Sequence, residues 1–164
     1  MSLLVVGSIA YDDIETPRES RKRVPGGSAT HFCFAAGFYG KTRLVGVVGE
    51  DFEQKHIEML EGLGVDMQGV KIAPGKNFEW GCRYEADMNV RHTIFTNLNV
   101  FESFQPDLPD EYKDSEFVFL GNIHPDLQHH VLDQMRKPRL VAADSMNLWI
   151  DIARDSLVKL LKRI

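Results

Sequence analysis

The feature that most narrows the fold of this chain is a regular exchange between two hydrophobic periods. "LLVVGS" (Leu3 to Ser8) is short and almost wholly apolar, the pattern of a strand buried on both faces. After a polar stretch comes "VPGGSATHFCFAAGFYG", in which a helix apolar on nearly every side is expected from about Ser28 to Tyr39. "RLVGVVG" (Arg43 to Gly49) is again strand-like. In "DFEQKHIEMLEGLG", Phe52, Ile57, Leu60 and Leu63 fall at helical spacing between an acidic start at Asp51 and a stop at Gly64. The exchange returns later with "FVFLGN" (Phe117 to Asn122) as a strand. "PDLQHHVLDQMRK" then places Leu127, Val131, Leu132 and Met135 on one helix face, and "RLVAAD" (Arg139 to Asp144) is another strand. Strands that alternate with helices predict an α/β fold with a mostly parallel sheet flanked by helices.

One region departs from this pattern. From Phe78 to Val100, Phe78, Trp80, Cys82 and Tyr84 share one face of a strand, and Val90, His92, Ile94 and Thr96 share one face of its return. Such alternation suits an antiparallel pair with one wet and one dry side, outside the central sheet. With the polar segment "YDDIETPRESRKRV", it predicts a small antiparallel β lid made of residues 10–24 and 78–100. There is no internal repeat or low-complexity tract, and "SFQPDLPDEY" is the clearest loop.

At 164 residues the chain is long enough for one domain with a real core and too short for two ordinary ones. Its 43% hydrophobic and 26% charged residues are the balance of a globular protein. A net charge of −5 argues against nucleic acid and anionic membrane as partners, since both are held through their phosphates by basic surfaces. The start "MSLLVVGSIAYDD" lacks the basic region and long apolar run of a signal peptide, and no later segment is long enough to cross a bilayer. A cytoplasmic location is therefore expected. Cys33 and Cys82 are the only cysteines and read as reduced packing residues.

Gly26 and Gly27 pose the sharpest local question, because something must come too close there for a side chain. In α/β proteins ligands bind beyond the carboxyl ends of the strands, and a glycine pair at a helix N-terminus offers backbone N–H groups to a polar ligand. A tight turn capping a core helix explains the same pair. "GSIAYD" is not a dinucleotide fingerprint and "GGSATH" is not a P-loop. As part of a ligand's approach surface, Gly27 is expected to tolerate valine in folding but not in binding.

The order "VVGSIAYDDI", "PGGSATH", "LVGVVGEDF" resembles the N-terminal half of the ribokinase-like, PfkB-type family of carbohydrate and nucleoside kinases. The likeness covers essentially the whole chain, through lid strands in the same place and "DSMNLW" (Asp144 to Trp149). It implies that residues 1–164 form the N-terminal part of a single ribokinase-like domain. Asp12 stands where the family accepts hydrogen bonds from substrate hydroxyls, with Asp13 as the rival register; a carboxylate can take two neighbouring hydroxyls at once. Gly26 and Gly27 match the pair that approaches the substrate. Thr30 falls where many members carry an asparagine that touches it, and Asn122 faces the same cleft or caps a loop. The implied partner is a small polyhydroxylated acceptor such as a sugar, cyclitol or nucleoside. The threonine leaves its identity open. A homodimer through the lid, as in some members, is also implied.

The family's Gly-Ala-Gly-Asp motif, which supplies its general base and anion hole, does not occur in this sequence, so no catalytic residue is assigned. The resemblance implies that ATP and Mg2+ are bound mainly by a C-terminal part absent here, and that this chain alone is inactive. A noncatalytic binding module or a subunit-assembly element built on the same fold is the alternative. "DSLVKLLKRI" places Leu157, Leu160, Leu161 and Ile164 on one helix face, an apolar stripe expected to promote self-association.

Other clusters weigh less. His124, His129 and His130 lack the partners a zinc site needs. Asp12, Asp13 and Glu15 do not make a glycosidase pair without a second carboxyl group across a cleft. Arg18, Arg21, Lys22 and Arg23 form the one basic cluster, read first as solvated surface and second as contact to an anionic partner.

Overall fold

The apolar runs become strands of one sheet, and the departing region becomes half of a second. In the computed structural model, which describes residues 2–164, the chain begins with β1 (Leu3–Val6), β2 (Ala10–Glu15), β3 (Ser20–Gly26), α1 (Ser28–Ala36), β4 (Thr42–Gly49), α2 (Gln54–Gly62) and β5 (Val65–Ala73). It continues with β6 (Phe78–Tyr84), β7 (Arg91–Asn97), two 3-10 turns, β8 (Phe117–Leu120), α3 (Pro125–Gln134), β9 (Leu140–Ala143), α4 (Asn147–Ile152) and α5 (Arg154–Leu161).

The central sheet has the order β5-β4-β1-β8-β9, and every neighbouring pair is parallel. The chain therefore moves outward from β1 to β4 and β5, then returns to the other side of β1 and continues to β9. This reversal makes the carboxyl ends of β1 and β8 a topological switch point, the place where open α/β sheets bind ligands.

Alternation along β1 divides the core. Leu4 and Val6 join Val118, Leu120, Val131 and Leu160 in one apolar layer, beneath α3 and α5. Val5 faces the other way, into a layer with Ile9, Tyr11, Cys33, Leu44 and Leu60, beneath α1 and α2. Both cysteines are free and buried. Burial pushes the Cys33 thiol up to about 12, so it stays protonated and serves as packing.

Three features differ from the sequence reading. β5 was not anticipated, because as an edge strand it carries exposed Asp66, Gln68, Lys71 and Ile72 and buries only Val65 and Gly69. α1 stops at Ala36, where the Gly37 N–H donates to the Cys33 carbonyl, leaving Phe38 and Tyr39 82% and 86% exposed. The second sheet, ordered β3-β2-β6-β7, is mixed rather than wholly antiparallel, because β2 and β6 run parallel. Each of these two strands continues outward from a parallel strand of the core, β1 and β5 respectively, so the two leave in the same direction.

Asn77 fixes that departure. Its buried side chain accepts a hydrogen bond from the Gly49 N–H (3.1 Å) and donates to the Ile9 carbonyl (3.3 Å). The exits of β1, β4 and β5 are thus tied at one point.

Of the C-terminal apolar stripe, Leu157 and Leu160 are buried, whereas Leu161 and Ile164 are exposed. Leu160→Ala is expected to lose about 2–5 kcal/mol of unfolding free energy in a urea titration. Leu161→Ala is expected to stay within about 0.5 kcal/mol of the parent.

Candidate functional site

Ser8, just past the end of β1, determines where α1 starts. Its Oγ accepts from the Ser28 N–H (3.0 Å), and its carbonyl accepts from the Ala29 N–H (3.1 Å). The first N–H groups of the helix are therefore taken by the protein itself. Gly27 sits at φ 91°, and a Cβ there would lie 2.4 Å from the Ser8 carbonyl oxygen. This answers the question of the glycine pair at Gly27, because backbone closes on backbone and no ligand is needed to explain the residue. The expectation that Gly27→Val would spare folding is overturned on two grounds, left-handed φ and a main-chain clash.

Gly26 has a different neighbour. A Cβ there would lie 2.1 Å from Oδ2 of Asp12, so glycine at this position is what lets the Asp12 carboxylate lie against the backbone of β3. Asp12 is only 8% exposed. It stands on β2 just beyond the carboxyl end of β1, opposite Val24 of β3 and Trp80 of β6. Its nearest cationic group is His31 of α1, whose Nε2 is 3.9 Å from Oδ2. The carboxylate raises the His31 pKa above its ordinary value, by side-chain hydrogen bonding first and by charge, while desolvation works against it.

Thr30 does not present itself to a ligand in this arrangement. It is wholly buried on the core side of α1, and its Oγ1 has no hydrogen-bond partner among the described residues. The next residue, His31, has a side chain 65% exposed and reaches toward Asp12. Helix geometry separates the two by about 100°. The sequence reading passed over His31, although its place one step beyond a buried threonine was the available signal.

Asn122 follows β8 at the other side of the switch point. Its Oδ1 accepts from Nε1 of Trp149 (2.7 Å), and its Nδ2 donates to Sδ of Met146 (3.0 Å). Both ends of the amide are thereby engaged by the "DSMNLW" segment. The preceding residue, Gly121, packs against the start of α1, where a Cβ would meet Ser28 Oγ at 2.7 Å. The helix N-terminus, the end of β1 and the end of β8 therefore converge.

Asp13, the rival to Asp12, points elsewhere and accepts from the Arg23 N–H (2.8 Å). Arg23 itself is tied to Glu79 and Asp51 and lies over the Tyr11 ring, while Arg21 pairs with Glu19. Two of the four residues of the basic cluster are thus paired with neighbouring acids. The three histidines also have local partners. His124 Nδ1 caps α3 by accepting from the Asp126 N–H, and His129 Nε2 donates to the Ser156 carbonyl and so leaves Nδ1 to accept from Arg163. His130 Nε2 lies 3.5 Å from an Asp107 carboxylate oxygen. Among the described residues no group of three or more His, Cys, Asp or Glu side chains is arranged to hold a metal ion, and no helix is long and apolar enough to cross a membrane.

An open parallel sheet with a carboxylate lowered over its switch point by a β lid defines a ribokinase-like α/β fold. No protein-family model matches the chain. It is 28% identical over 142 residues to the cytidine kinase of Thermococcus kodakarensis, a match spanning 85% of this chain and 50% of that protein. It superposes on the nucleoside kinase of Methanocaldococcus jannaschii, an archaeal member of the ribokinase family, with a TM-score of 0.74 at 16% identity, covering 98% of this chain and 57% of that one. The Burkholderia thailandensis nucleoside kinase in complex with inosine gives 0.65 at 23% identity, over 80% and 46% of the two chains. The chain spans about half the length of these proteins. It has the ribokinase-like α/β fold and is similar, over about half their length, to the nucleoside and cytidine kinases just named.

Two measurements check this geometry. Gly27→Ala is expected to cost at least about 2 kcal/mol in a denaturant titration, from positive φ together with the approach to Ser8. Asp12→Asn is expected to lower the His31 pKa toward its ordinary value in an NMR titration. Because the folded-state pKa is raised, the stability contributed by this pair is fully present below the ordinary histidine value and is lost as pH rises through the raised one.

Proposed function

We propose that this chain forms the acceptor-binding part of an ATP-dependent kinase that phosphorylates a hydroxyl of a nucleoside, sugar or cyclitol. The observation that carries this reading is the Asp12 carboxylate, which is nearly buried and free of any strong cationic partner. It is held at the switch point by a glycine and faced by an exposed imidazole. A carboxylate so placed accepts hydrogen bonds from two neighbouring hydroxyls at once. His31, charged or neutral, has an N–H to offer an acceptor oxygen on the opposite side. The relatives named above are kinases, two of them called nucleoside kinases and one a cytidine kinase.

ATP would supply the phosphoryl group and Mg2+ would neutralise its charge. The described residues lack the family's Gly-Ala-Gly-Asp. No phosphoryl-transfer step is therefore assigned to them. In this proposal, ATP, Mg2+ and the general base belong to a further part of a longer protein, and this chain binds, orients and partly desolvates the acceptor.

Replacing a charged hydrogen-bonding group typically costs about 1.5–3 kcal/mol, so Asp12→Ala is expected to weaken acceptor binding by at least about tenfold. Isothermal titration with a panel of nucleosides, sugars and cyclitols measures this. Unchanged affinity in Asp12→Ala, with loss in Asp13→Ala, would show that the other register is the binding one. Acceptor binding without phosphoryl transfer, even in the longest natural form of the protein, would favour a noncatalytic binding module.

A further inference from the structure

We propose that the indole of Trp80 is a stacking platform that makes the Asp12 site prefer acceptors bearing a planar nucleobase over bare sugars. This inference rests on the reading of Asp12 as the acceptor carboxylate.

The register of the lid places the two residues side by side. Asp12 of β2 is paired with Trp80 of β6 in a parallel ladder, and Ile14 with Cys82. Paired residues of neighbouring strands project from the same face of a sheet, about 4.8 Å apart. The indole is therefore the immediate neighbour of the carboxylate on the face turned toward His31 and the start of α1. It is only partly buried.

The ring is covered by a cation rather than by packed apolar side chains. The Arg91 guanidinium of β7 lies 4.8 Å from the indole centroid, and among the described residues Arg91 makes no ion pair. A guanidinium on an indole shows that the ring offers a π-face to a flat group. The buried Cys82 thiol lies near both charged groups. Burial raises its pKa, Arg91 lowers it and Asp12 raises it, so both charges act on the same sulfur.

A polyol held by its hydroxyls at Asp12 leaves the neighbouring strand position for whatever its ring carries. A nucleobase fills that position flat against Trp80, taking the place of the guanidinium, whereas a free sugar has no planar group to place there. Stacking on an aromatic side chain tolerates any base, because every base has a π-face. The platform therefore selects nucleosides as a class rather than one base.

The test is isothermal titration of the full chain and of its Trp80→Ala, Trp80→Phe and Asp12→Ala variants with cytidine, inosine and D-ribose. Each variant is first checked for a cooperative thermal transition. The parent is expected to bind both nucleosides at least about tenfold more tightly than ribose. Trp80→Ala is expected to bring both down to the ribose level without changing ribose affinity, and Trp80→Phe to keep most of the preference. A preference missing from the parent, one that survives Trp80→Ala, or equal loss of ribose and nucleosides in Trp80→Ala overturns the platform. If Asp12→Ala still weakens all three ligands in those cases, the acceptor reading stands alone. Asp12→Ala binding all three as the parent does overturns both.

Discussion

The hydrogen bonds from the Ser28 and Ala29 N–H groups to Ser8 are the constraint on which the candidate site depends. They seat the N-terminus of α1 on the end of β1, and Gly27 is the residue that permits the approach. Once the helix start is fixed, the 100° rotation per residue decides the rest. Thr30 turns into the core and His31 turns out toward Asp12. The same junction brings Ser28 against Gly121, so the ends of β1 and β8 cannot separate without disturbing the helix. Position at this site is thus set by backbone groups together with two short serine side chains, which have little rotamer freedom to lose.

The lid depends on a second set of ties. Arg23 adopts a left-handed φ of 49°, donates its N–H to Asp13, and extends its guanidinium across Tyr11 to Glu79 and Asp51. Tyr11 in turn accepts a hydrogen bond from the Glu53 N–H through its hydroxyl. Isolated surface ion pairs contribute little, but this one joins the lid strands β2, β3 and β6 to the loop after β4 and stacks on a buried ring. Together with the Asn77 amide, it makes the angle between lid and core a property of several linked groups. Asp12 inherits its position from that angle.

Much of the architecture was legible because burial on both faces leaves an unambiguous apolar signature. The runs at Leu3, Arg43 and Phe117 became inner strands, the run at Arg139 became the edge strand β9, apolar in sequence although none of its residues is buried, and the alternation around Trp80 became a lid pair. β5 was silent for the opposite reason, since an edge strand exposes half its residues and carries charge like a loop. The glycine pair announced a close approach, but glycine reports closeness without naming what comes close. Here the visitors are Ser8 at one position and Asp12 at the other. His31 was hidden by a rotation of one residue, and the pairing of Trp80 with Asp12 by distance along the chain. Periodicity reports which face a residue takes, but not which strand lies beside it.

That distance has a consequence for how the site comes into being. The lid is one sheet made from two excursions of the chain, and its central pair, β2 with β6, includes Glu15 and Arg83, which are 68 residues apart. Such a pairing closes a long loop and is among the slower contacts to form, whereas the first hairpin, β2 with β3, is local. Opening of the β2–β6 seam alone would separate Asp12 from Trp80 while leaving the parallel core hydrogen-bonded. An opening confined to that seam costs less than unfolding the whole domain, so the face shared by Asp12 and Trp80 would be the first part of the structure to come apart.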